Sequence, residues 1–142
     1  MIYVALMLMA GCLMAIQSPI NAALSRTVGI LESSLISFSV GTASLLIAVL
    51  LFGHGHVGRV FSCPPWQWLG GVLGAIMVLN AIIAVPHIGA VSTLLAMVIG
   101  NLVMASIIDN FGWFGLPVTP FTLKRIFGFC LVFAGLWCVM RQ

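Results

Sequence analysis

From Trp66 to Ile108 the chain runs for about 43 residues without one Asp, Glu, Lys or Arg. A soluble core has no use for such a run, but a bilayer does, since one crossing takes about 20 apolar residues. The stretch is too long for one span and long enough for two. Val85-Pro86-His87-Ile88-Gly89 supplies the division. Proline disfavours helix in the residue before it, and glycine permits a sharp reversal. Spans are therefore predicted over residues 66–85 and 88–108, joined by a tight turn. Trp66 and Trp68 open the first as an aromatic belt, and Gly70-Gly71-x-x-Gly74 gives it a small-residue packing face.

The same length criterion places three more spans, over residues 2–24, 31–52 and 123–140. Tyr3 is an interfacial aromatic at the start of the first. Ser25-Arg26-Thr27-Val28-Gly29 reads as a polar turn between the first two. In the second, Ser37, Gly41, Ser44 and Ala48 form a small-residue stripe of the kind that lets membrane helices approach closely. Residues 53–59 read as a glycine-rich loop, and residues 109–120 as the longest non-helical segment, its aromatics held at the membrane interface. The expected fold is an all-α integral membrane protein: five transmembrane helices per chain in a single domain, residues 1–142. Composition agrees, with 63% hydrophobic and 5% charged residues, where a soluble domain is about a quarter charged. No positive segment precedes Ile2, so the N-terminus is read as a span and not as a cleavable signal.

Several function classes fall away. A net charge of +3 on five basic residues is too little for a nucleic-acid surface. There is no nucleophile–base arrangement and no phosphate loop, so the chain is not read as an enzyme. Cys12, Cys63, Cys130 and Cys138 lack metal-ligand spacing and read as small apolar residues; His54-x-His56 alone does not make a metal site. No metal and no cofactor are expected.

Five spans put the termini on opposite sides. Arg59, Lys124 and Arg125 then share one side, and Arg26 and Arg141 the other. Lys and Arg asymmetry sets orientation, and three against two gives little instruction, so insertion in both senses is expected. Five helices are also a thin wall around a polar path, which must be enclosed by protein. An antiparallel ten-helix homodimer, or a pair with a closely related paralogue, encloses one and supplies the inverted repeats used in alternating access.

The candidate chemistry centres on Gln17-Ser18-Pro19-Ile20-Asn21. Gln17 and Asn21 share a helix face, and their amides offer donors and acceptors without the cost of a buried charge. Pro19 between them is expected to break the helix. The competing reading is polar glue between helices. Asn80, Thr93 and Asn101 are further candidates for substrate contact, with helix–helix hydrogen bonding as the alternative. Asp109 and Glu32 are the only acids and the candidates for ion or proton coupling. Asp109 could instead pair with Lys124 or Arg125, and Glu32 sits where a helix N-terminus favours an acid. With no carboxylate in mid-span, a neutral or amphiphilic substrate fits better than a cation.

Taken in order, Gln17-x-x-Ile20-Asn21-x-x-Leu24, Trp66 with Gly70-Gly71-x-x-Gly74, Pro86-x-x-Gly89 and Gly100-Asn101 through Ile108-Asp109-x-Phe111-Gly112 resemble the YdcZ-type family. That family is a five-helix branch of the drug/metabolite transporter superfamily. The resemblance covers nearly the whole chain. It departs at Asn101, where such proteins often carry glutamine. It implies a bacterial inner-membrane, multi-pass protein of exporter type. Similar proteins occur as single genes, as adjacent pairs of opposite orientation and as fused halves, which suits an antiparallel dimer. The expected function is a small secondary transporter exporting a small metabolite or amphiphilic compound, with lipid as its surroundings. The alternatives are a dual-topology ion channel and a non-transporting accessory subunit.

Overall fold

The computed structural model describes residues 1–119 and 122–141, with backbone alone at 125 and 140. Its elements are four helices, α1 (Ile2–Val28), α2 (Ile30–Phe52), α3 (Leu69–Phe111) and α4 (Leu123–Met140), with 3-10 turns at Val57–Ser62, Pro65–Trp68 and Trp113–Gly115. No strand occurs among the described residues. α1, α2 and the stretch Pro65–Phe111 are long and apolar enough to cross a membrane, and a shorter apolar helix lies within Ile126–Val139. Most large apolar side chains on these helices are exposed, as a hydrocarbon solvent requires.

The chain divides into two units, Met1–His87 and Ile88–Gln142. In the first, α1 packs on α2, and the reversal between them takes a single residue. Gly29 has φ 103° and ψ 160°, a region essentially closed to any residue with a Cβ. The polar turn expected over residues 25–29 is therefore mostly helix: Ser25 to Val28 stay in α1, with the Ser25 hydroxyl donating to the Ala22 carbonyl at 2.9 Å. Arg26 in the last turn of α1 and Glu32 in the first turn of α2 have the signs that helix ends favour.

The expected break at Pro19 is also corrected. α1 continues through it as helix. The ring's fixed φ suits a helix, and the cost is one missing N–H for the Ala15 carbonyl. The same physics moves the second break. α3 passes through Pro86 and is interrupted at Gly89, with φ 79° and ψ 162°. Removing one donor only weakens a helix; taking a conformation that only glycine reaches ends it.

Of the glycine loop expected over residues 53–59, residues 53–56 are non-helical and 57–59 open the first 3-10 turn. The second takes Trp66 to Trp68, so α3 starts at Leu69 and not at 66, with Phe61 and Trp68 edge to face at 6.2 Å. In the first unit the Phe38 ring of α2 lies against Gly74 of α3, while Gly70 and Gly71 face open space, so the expected packing face is used at one glycine of three.

In the second unit α3 runs to Phe111, past the predicted end at 108. The loop beyond it is tied at its neck, where the Thr119 N–H donates to the Asp109 carbonyl at 2.8 Å. Phe111 stacks on Trp113 within it. Pro120, the last residue of the predicted loop, lies outside the described residues. α4 coincides with the predicted fifth span, and Arg141 closes it by lying over the Trp137 ring at 4.8 Å, a cation–π contact.

Candidate substrate groove

Polar side chains inside a membrane helix must find partners, and in α1 the hydroxyls do. Ser18 donates to the Met14 carbonyl at 3.1 Å and Ser25 to that of Ala22. Across the turn, the fully buried Ser33 of α2 donates to the Asn21 carbonyl at 2.8 Å. This buried bond fixes the level of α2 against α1. Ser33→Ala leaves no stranded donor, so its expected cost is only about 0.6 kcal/mol, at most about 1.7, read from reversible unfolding in mixed micelles.

The amides behave differently. Among the described residues neither the Gln17 nor the Asn21 carboxamide has a hydrogen-bond partner. Both line an open groove of about 580 Å³ along the α1–α2 seam, bordered otherwise by Leu13, Ile16, Ile20 and Leu24 of α1 and by Ile36, Ser37, Val40 and Gly41 of α2. Asn21 is 5% exposed, whereas Gln17 stands on the exposed rim. A smaller hollow of about 200 Å³, also touching Gln17 and Ser37, continues it towards Thr42 and Leu45.

The register follows from the turn. Asn21 and Ser37 are each eight residues from Gly29, and Gln17 and Gly41 each twelve. Equal rise along both helices brings each pair to one level, about 12 and 18 Å from the turn. In a hydrocarbon layer of about 30 Å that is close to the midplane. The Ser37–Gly41 part of the small-residue stripe, expected to bring helices together, instead leaves space: a Cβ at Gly41 would touch nothing.

Of the remaining candidates, Asn80 and Glu32 are not among the residues lining this groove, and Thr93, Asn101 and Asp109 belong to the second unit. Asn80 is exposed on α3. In the second unit Thr93 is buried, but its hydroxyl donates to the Gly89 carbonyl at 2.7 Å and so belongs to the helix restart after the break. Asn101 is exposed on the same stretch of helix. Glu32 is exposed and folds back over Gly29, where it opposes the positive end of α2. Asp109 is half-buried and its backbone closes the following loop; of the two partners expected for it, Lys124 is exposed and the Arg125 side chain lies outside the described residues. No cluster of three His, Cys, Asp or Glu side chains occurs among the described residues. Sequence reading passed over Ser33 and treated Ser37 as packing. Counting outward from Gly29 would have paired Ser37 with Asn21.

An all-helical, charge-poor chain with membrane-length helices and unpaired amides near mid-span has the makings of a membrane transport protein. Residues 2–138 match the family described as "Putative inner membrane exporter, YdcZ", and the chain belongs to that family. It is similar to the "Inner membrane protein YdcZ" of Escherichia coli (strain K12), 28% identical over 142 residues, covering 97% of this chain and 94% of that protein. No solved structure matches it. The chain is thus a multi-pass inner-membrane protein of a general exporter class, which is not a class of enzymes.

Proposed function

We propose that the protein is a small secondary transporter that exports a small metabolite or amphiphilic compound by alternating access. Its five spans, residues 2–24, 31–52, 66–85, 88–108 and 123–140, form one transmembrane domain. Two copies, or one copy and a close paralogue, pair in antiparallel sense. The observation that carries this reading is Asn21, a residue only 5% exposed whose carboxamide, like that of Gln17, opens onto the groove and has no hydrogen-bond partner among the described residues. An inward-facing amide of this kind is costly in hydrocarbon unless a ligand or a second protein surface meets it. Pairing two copies about an axis in the membrane plane sets two such grooves around one central cavity.

Compounds that raise the thermal stability of the purified protein are the ones to assay by counterflow in proteoliposomes. Transient, saturable accumulation of label is the expected result. A large, non-saturating ion conductance would instead support a channel and overturn the carrier. Reporters fused to the C-terminus should report both sides of the membrane, and moving one Lys or Arg across a loop should shift the ratio. A one-sided signal unmoved by such a change would remove the antiparallel homodimer.

A further inference from the structure

We infer that the α1–α2 groove selects uncharged amphiphiles whose head both donates and accepts hydrogen bonds, such as an amide or hydroxyl group, and discriminates against both cations and anions. This rests on the transporter reading for its biological sense, but its structural basis is separate. The groove holds no charged side chain: its polar contribution comes from Gln17, Asn21 and Ser37, set among branched aliphatic residues. The charges nearest in sequence, Arg26 and Glu32, flank the turn with one of each sign, so they favour neither ion. An ion placed near mid-span would have to shed its water without a countercharge. A neutral head would lose only hydrogen bonds, and the two amides return them as donors and acceptors.

The two amides divide the work. Asn21 is 5% exposed and its backbone is held by Ser33, so its carboxamide is a fixed point of recognition. Gln17, one turn away on the rim, has the freedom to adapt to the head or to shield it. Leu13, Ile16 and Val40 receive the apolar part. At about 580 Å³ the groove is within the range of sites for drug-sized molecules.

The test uses the full-length protein in nanodiscs and three probes that share one tail: N-hexanoylglycinamide, its carboxylate counterpart N-hexanoylglycine, and its quaternary ammonium counterpart. The expected result is binding of the neutral amide roughly tenfold or more tighter than of either ion. That preference should vanish in Asn21→Leu and turn towards the cation in Asn21→Asp, while Gln17→Leu, on the exposed rim, should weaken it only partly. Equal binding of all three probes would overturn the inference. So would binding of none, with acyl chains or a second copy's helix filling the groove, or a preference that survives in Asn21→Leu. Counterflow separates this inference from the one beneath it. Exchange of a charged compound would leave the carrier standing and remove the selectivity. Selective binding with no exchange of any bound compound would do the reverse.

Discussion

Alanine at Asn21 is expected to slow carrier-mediated exchange by about ten- to a hundredfold while the protein still inserts and dimerises. The magnitude follows from burial. A ligand polar group brought into the groove and left unpaired costs about 1–3 kcal/mol, and Asn21 is the amide that water reaches least. Its backbone bond to Ser33 does not depend on the side chain, so the helix pair survives the substitution. Gln17→Ala should do the same to a lesser degree, about two- to tenfold, because a hydrogen bond at an exposed rim is worth only about 0.5–1.5 kcal/mol. The order matters more than either figure. Initial rates of counterflow measured at matched protein density decide it. Full activity in both variants would remove these residues from the site.

The second large effect falls on the glycine turns. Gly89→Ala is expected to destabilise the fold by about 1–3 kcal/mol through backbone strain alone, since its conformation is nearly closed to other residues. A Cβ there would touch nothing, so no collision contributes. Gly29→Ala should cost about as much: its Cβ would meet the Glu32 carboxylate, but that exposed, flexible side chain can swing aside. Adding Glu32→Ala should change this little, apart from the lost charge at the α2 N-terminus. Gly100→Ala is the control: it sits in helix with open space around it and should gain up to about 1 kcal/mol from helix propensity. Unfolding of the purified variants in mixed micelles measures all four. A neutral Gly89→Ala would mean that the chain does not need that backbone conformation there.

The positions of the helices were legible because a bilayer imposes one simple demand. Every backbone group must be bonded within the helix and every outward face must be apolar, so length and composition alone mark the segments. What misled was the weight given to proline. Pro19 and Pro86 both read as breaks, yet both stand inside helix. In a membrane helix, neighbouring helices, Ser or Thr side chains and small local adjustments re-satisfy the freed carbonyl, so the loss of one donor is tolerated. Gly29 and Gly89, which take the non-helical conformations, each stand last in a turn that was expected from the sequence.

The candidate site was legible in part for a similar reason. The i, i+4 spacing of Gln17 and Asn21 fixes a shared face, and both do line one groove. Sequence gave no ground for separating them from Asn80, Thr93 or Asn101, since all five are polar residues in apolar surroundings. Only tertiary structure did that. It bound the Thr93 hydroxyl to the Gly89 carbonyl, left Asn80 and Asn101 exposed, and set Asn21 in the groove wall with its amide open to the groove.

The sequence alone established that this chain lives in a membrane, that its helices are mostly apolar, and that Gln17 and Asn21 share one face of α1. Those properties depend on residue type and on spacing along one helix. Which amide is buried, and which hydroxyl is already taken, depended on where α2 lies against α1. That was decided by Gly29, whose single-residue reversal brings Ser33 to the Asn21 carbonyl and leaves the groove open beside it.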